Sequence, residues 1–266
     1  PMRFAWNYDV YMGKGFFQAV IKIAITPFLI WLRKWDVATS RNVDRFVAIS
    51  HVVAERIRKY YKRDSIVIYP PVDFNQFKVS DDIKDYFLVV SRLLPYKRLD
   101  LIIGAFNYLG YNMKIIGAGP EEKRLKNMAN SNIVFLGGAD NIQLAGYYSH
   151  CRALIFPGEE DFGIVPLEAM AAGRPVIAYG KGGALETVVD GQTGVLFHAQ
   201  TVDALVEAIR KCEGTKFNGQ AIRRHAQSFD KSKFKGKIME LVKMILVQRT
   251  SSRGLVLSDS VRGSKK

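Results

Sequence analysis

The chain is poor in the residues that build metal centres and disulfide frameworks. Its 266 residues include two cysteines, Cys151 and Cys212, and four histidines, His51, His150, His198 and His225. Neither cysteine belongs to a CxxC pair, and no histidine has a partner at ligand or triad spacing. This excludes a zinc module and a disulfide-stapled scaffold, and it points to a reducing compartment. No Asp-x-Asp pair occurs, so neither a metal nor another cofactor is predicted. The acidic run Glu159-Glu160-Asp161 is the alternative foothold for a cation. A long apolar run is also missing. The most apolar stretch, Phe16 to Leu32, contains Lys22 and Pro27 and is followed by Arg33 and Lys34, whereas a membrane-spanning helix needs about 20 apolar residues. It reads as a helix covering the core of its own domain, with an interfacial amphipathic helix as the alternative.

What is abundant is positive charge, and its placement matters more than its sum. The net charge of +14 divides into +8 over residues 1–63, −5 over 64–209 and +11 over 210–266. An acidic middle between basic ends suits a surface that meets anionic lipid or a polyanionic acceptor, and it argues against a nucleic-acid partner. The expected location is cytoplasmic, peripheral on the inner face of the cell membrane.

Apolar periodicity gives the fold class, α/β with a parallel sheet. From Tyr86 onward short apolar strands alternate with helices: Tyr86 to Val90, Met113 to Ile116, Ile133 to Leu136, Ala153 to Phe156, Pro175 to Ala178 and Gly194 to Phe197. Such alternation implies right-handed crossovers and a Rossmann-like layer, with ligands at the carboxyl ends of the strands. Upstream, residues 4–40 read as largely helical, Asp44 to Ile49 and Ser65 to Tyr69 as strands, and His51 to Lys62 as a helix with Ser50 as N-cap. Pro70-Pro71 opens a linker. The chain is divided as a leading unit (1–72), a Rossmann-like domain (73–228), a terminal helix (229–248) and a basic tail (249–266) expected to be disordered. It reads as the tail of a longer protein.

The chemistry gathers at strand ends. In EEDFGIVPLEAMAAG, the carboxylates Glu160 and Glu168 flank a turn in which Gly163 permits close backbone approach and Pro166 suits a first helical turn. Amides of the Ile164 to Leu167 turn are expected to face an anion. In SRLLPYKRLD, Arg92 offers a fork and Lys97 a point charge to a diphosphate whose charge grows as its bond to a sugar breaks. Gly117 and Gly119 of IIGAGPEE form a tight turn, with Glu122 standing where a third fingerprint glycine would fall; they are assigned a supporting role in letting a nucleotide approach. Gly137-Gly138 either borders a base or is a plain strand exit. Lys181 to Ala184 is either a ligand loop or a bare helix entry.

Arg92, Lys97, the Gly117 to Pro120 turn and the Glu160 to Glu168 segment together resemble the donor-binding domain of the retaining glycosyltransferases of family 4, which have the GT-B fold. The two glutamates match that family's Glu-x7-Glu motif. Upstream, PMRFAW, AISHVVAERIRKYY and VIYPPVDFNQF resemble the closing part of the family's first domain and its linker, so the resemblance makes residues 1–72 a remnant of that acceptor-side domain. The nearest likeness is to mannosyltransferases of O-antigen and exopolysaccharide assembly, which implies GDP-mannose as donor and a glycan or lipid-linked acceptor. It further implies transfer with retention and without a protein-bound metal. Carried over by residue, Arg92 and Lys97 bind the diphosphate, and Glu160 contacts sugar hydroxyls near the reacting carbon. Amides of Phe162, Gly163, Ile164 and Val165 hold phosphate and sugar, and Glu168 holds the ribose. The rival readings are a sugar-nucleotide epimerase of similar fold and a non-catalytic basic module that binds membrane or nucleic acid.

Overall fold

A computed structural model describes residues 1–6, 8 and 16–262. Short α1 (Arg3–Trp6) precedes the long α2 (Phe16–Ser40); the predicted helical span over 4–40 falls in part on residues outside those described. Next come β1 (Phe46–Ala48), α3 (His51–Tyr61) and β2 (Ser65–Val67), with β1 and β2 paired in parallel. Ser50 caps α3 as expected, its hydroxyl accepting from the Val53 amide at 3.1 Å.

The second layer is a six-stranded parallel sheet built from β3 (Phe87–Val90), β4 (Met113–Ile116), β5 (Ile133–Gly137), β6 (Leu154–Phe156), β7 (Val176–Tyr179) and β8 (Gly194–Phe197). Between and after the strands lie α4 (Leu99–Leu109), α5 (Glu122–Met128), α6 (Asn141–His150), α7 (Ile164–Ala171), α8 (Ala184–Thr187), α9 (Val202–Glu213) and α10 (Gly219–Ala226). The strand sequences read as continuous apolar runs because both faces are covered. Alternation along β3 divides the core: Phe87 and Val89 join α4 and α9 on one face, while Leu88 joins α7 and α10 on the other.

Strand order places the site. The sheet runs β5-β4-β3-β6-β7-β8: the chain winds outward from β3 to β5, then returns to lay β6 beside β3, with Leu88 opposite Leu154. At such a reversal the loops leaving the two central strands diverge and open a crevice at their carboxyl ends. The loop after β3 carries Arg92 and Lys97. The loop after β6 carries Glu160.

The chain finally crosses back to the leading unit. Asp230 bridges to Val72, and α11 (Lys231–Arg262) meets β2 at a cavity lined by Ile66, Ile68, Leu241 and Met244. The helix does not stop at Gln248. It continues to Arg262, through most of the segment expected to be disordered, because no proline occurs there to break the backbone pattern; residues 263–266 lie outside those described.

Candidate functional site

Lys97 ends a short 3-10 turn, Pro95–Lys97, immediately before α4, and its ammonium donates to Oε1 of Glu160. The other carboxylate oxygen of Glu160 faces Nη1 of Arg3 at 3.4 Å. Glu160 is therefore gripped by two cations from separate parts of the chain. Arg92 is exposed and makes no ion pair among the described residues, so its guanidinium stands available beside the crevice.

Past Glu160, Asp161 pairs with Arg56 and Phe162 is buried, its ring stacked on Tyr69 with centroids 5.4 Å apart. Burial by itself pushes the Asp161 carboxyl upward. The Arg56 hydrogen bonds and the charges of Arg56 and Arg3 overcome it and hold the group below the usual carboxylate range. Gly163 then takes a φ of 91°, a left-handed conformation that a side chain would strain, and a Cβ there would lie 3.1 Å from the Phe156 ring. It opens α7. The first amides of a helix have no intrahelical acceptor, and here Ile164 and Val165 supply them. The expected run of amides to Leu167 is broken, because Pro166 has no N–H.

Glu168 lies inside α7, half-buried, and its Oε2 accepts from the Tyr148 hydroxyl at 2.7 Å. Burial pushes its carboxyl above the ordinary range, and the Tyr148 hydrogen bond only partly offsets the rise. The two glutamates have different partners, cations at Glu160 and a phenol at Glu168.

The glycine turns mostly serve the chain itself. A Cβ on Gly117 would stand 1.9 Å from the Ser91 carbonyl oxygen, and one on Gly119 would stand 2.4 Å from that of Leu93. The backbone that needs the space is the loop after β3, so both glycines seat the Arg92 loop. Gly137 and Gly138 face open space. The Lys181 to Ala184 loop, in contrast, belongs to the site's frame: the Gly183 amide donates to the Glu160 carbonyl at 2.8 Å, and a Cβ on Gly183 would stand 2.2 Å from Cα of Phe162. Among the described residues no three His, Cys, Asp or Glu side chains gather to hold a metal.

A sequence profile described as glycosyl transferases group 1 matches residues 73–227. The chain belongs to the group 1 glycosyl transferases. It is 31% identical over 173 residues to an uncharacterised glycosyltransferase of Methanocaldococcus jannaschii, a match covering 63% of this chain and 49% of the relative. It is 29% identical over 210 residues to an alpha-1,3/1,6-mannosyltransferase of Dictyostelium discoideum, covering 61% and 50%. A GDP-mannose-dependent alpha-(1-6)-phosphatidylinositol monomannoside mannosyltransferase of Mycolicibacterium smegmatis is 34% identical over 138 residues, covering 45% and 36%. The chain thus spans about half the length of the first two relatives and about a third of the other. Among solved structures, sucrose-phosphate synthase from Thermosynechococcus elongatus superposes with a TM-score of 0.72 at 22% identity, covering 81% of this chain and 62% of that one. Anabaena HepE in complex with UDP and glucose gives 0.72 at 22%, covering 79% and 66%. The fold is the GT-B type.

In this group 1 member, sequence reasoning missed three residues at the crevice. Tyr148, fully buried on α6, meets Glu168 through tertiary packing, and nothing in YYSH signals it. Arg3 and Arg56 are distant in sequence from the carboxylates they hold; only the excess of basic residues upstream hinted at them. A cavity of about 660 Å³ lies elsewhere, at the amino ends of β6 and β7 beside Arg152, Arg174 and Pro175. Arg174 is spent there on the carbonyls of Ser149 and Ser80, and in parallel sheets that end is not the ligand-binding one.

Proposed function

We propose that the chain carries the donor site of a retaining hexosyltransferase that moves mannose from GDP-mannose to a glycan or lipid-linked acceptor in cell-surface polysaccharide assembly, including lipopolysaccharide. The observation that carries this reading is the Lys97–Glu160 pair set across the switch-point crevice beside the open guanidinium of Arg92. The mannosyltransferase relatives support the choice of sugar, and the printed dependence of one of them on GDP-mannose supports the base.

In this reading the donor exchanges partners with the pair. Its diphosphate draws Lys97 away from Glu160 and meets Arg92, and the sugar hydroxyls donate to the released carboxylate. As the bond from the anomeric carbon to the diphosphate oxygen breaks, negative charge builds on the leaving group. The two fixed cations and the first amides of α7 stabilise it without solvent reorganisation. Glu168 accepts from the ribose hydroxyls. The acceptor oxygen bonds to the anomeric carbon on the face the diphosphate leaves, its hydroxyl proton passing to the departing diphosphate oxygen, giving retention. No metal is required for this charge balance. Calorimetry with GDP-, UDP- and ADP-sugars tests the site: GDP-mannose is expected to bind most tightly, and Arg92→Ala to weaken it about tenfold. A folded sample that binds no nucleotide sugar refutes the reading.

A peripheral position on an anionic inner membrane face accompanies this function. It is supported by α2, which exposes Ile23, Phe28, Trp31 and Trp35, with Ile23 75% and Trp31 58% exposed, within the 1–63 segment that carries +8. Aromatic rings and basic stems suit the headgroup boundary. No helix among the described residues is long and apolar enough to cross a membrane.

A further inference from the structure

The leading unit reaches the donor crevice through α3. Arg56 engages Asp161 with both terminal nitrogens, Nη1 to Oδ2 at 2.8 Å and Nη2 to Oδ1 at 2.7 Å, and the side chains are only 10% and 20% exposed. A planar guanidinium that meets both oxygens of a carboxylate fixes orientation as well as distance, which a lysine would not do. The start of the same helix is tied down independently: Glu186 of α8 accepts from the amides of His51 at 2.9 Å and Val52 at 3.2 Å. Here a carboxylate satisfies donors that the first turn of α3 leaves open. Two points of attachment, one at each end of a turn and a half, prevent α3 from pivoting against the sheet domain.

The Glu159 to Gly163 turn is thereby held from several sides. Arg56 holds it through Asp161, Tyr69 stacks on Phe162, the Gly183 amide bonds the Glu160 carbonyl, and Nη2 of Arg3 donates to the Glu159 carbonyl at 3.0 Å. Of these, only the Arg56 fork acts on a side chain adjacent to Glu160 without itself touching Glu160. Asp161 has no place in the donor chemistry given above. Its carboxylate is committed to arginine.

We propose that Arg56 is a positioning residue which, through Asp161, sets the Glu160 turn for the sugar end of the donor. The proposal rests on the donor-site reading and deepens it. Its consequence is selective: the sugar end of the site depends on the fork, whereas the ribose end, held by Glu168 and Tyr148 within the sheet domain, does not.

The test compares the whole chain with Arg56→Ala, Asp161→Asn, the double variant and Arg56→Lys, by calorimetry with GDP and with GDP-mannose and by amide hydrogen exchange. Expected is GDP affinity within about twofold of the parent and GDP-mannose affinity about tenfold weaker in each single variant, with the double variant close to Asp161→Asn, which already removes the Arg56 fork together with the Arg3 contact to Asp161. Arg56→Lys restores only part of the loss. Exchange over 159–167 accelerates while β7 and β8 are unchanged. Equal loss of GDP and GDP-mannose affinity, or faster exchange throughout the sheet domain, overturns the proposal in favour of a general scaffold role. Unchanged exchange over 159–167 overturns it outright. Should the parent chain bind no nucleotide, the donor reading falls separately, and the exchange comparison still decides whether the fork orders the turn.

Discussion

Glu160 and Glu168 bracket a single turn and helix, and the protein treats them oppositely. Glu160 sits between Lys97 and Arg3; Glu168 is half-buried with a neutral phenol as partner. One carboxylate is paired with two cations from separate parts of the chain. The other is pushed toward its neutral form by desolvation. In the proposed donor site the same residue type is assigned two recognition tasks, because the surrounding charge and burial differ.

The sharpest way to break this contrast is Lys97→Ala. It removes the proposed phosphate ligand and leaves Glu160 to Arg3 alone, so nucleotide-sugar affinity is expected to fall about 100-fold by calorimetry, the upper end for losing a charge-assisted bond. An effect smaller than about threefold would place the diphosphate elsewhere.

Glu168→Gln acts at the other end and has two signs. GDP affinity falls about tenfold as the ionic acceptor is lost. Stability without ligand moves the other way. Because the folded state holds the Glu168 proton more tightly than the unfolded chain does, it binds more protons between the ordinary carboxylate pKa and the raised one. Stability therefore declines as pH climbs through that window, and at pH 7 the charged, half-buried group is a net cost. Glutamine removes the titration, so the variant's melting temperature is expected to exceed the parent's at pH 7 and the gap to close toward pH 4. A gap that widens on acidification contradicts the assignment.

The smallest expected effect is that of Tyr148→Phe. It deletes one hydrogen bond to Glu168 while preserving the packing of the ring, so GDP affinity should fall by about threefold or less and stability by about 1 kcal/mol. Denaturant midpoints and calorimetry on the same samples check both. A tenfold loss of affinity would make Tyr148 a direct ligand.

Much of this was legible in the chain. All six strands of the large sheet follow from runs such as Phe87 to Val89 and Val176 to Ala178, whose burial on both faces leaves no polar alternation to confuse with a loop. The Ser50 cap and the full span of α4 follow from local rules, since the groups concerned lie within a few residues of one another. A local rule also erred, reading a disordered tail where α11 continues to Arg262.

Sequence alone determined the alternating α/β pattern, the chemical types at the strand ends and the concentration of positive charge away from the acidic middle. Those properties are written in composition and short-range periodicity. Tertiary structure decided that β6 returns beside β3, which turns the separate segments SRLLPYK and EEDFG into facing walls. It also decided that Tyr148 meets Glu168 and that Arg3 and Arg56 meet the Glu160 turn. Partners 20 to 157 residues apart in sequence are set by the path of the chain through the sheet, and no local spacing encodes that path.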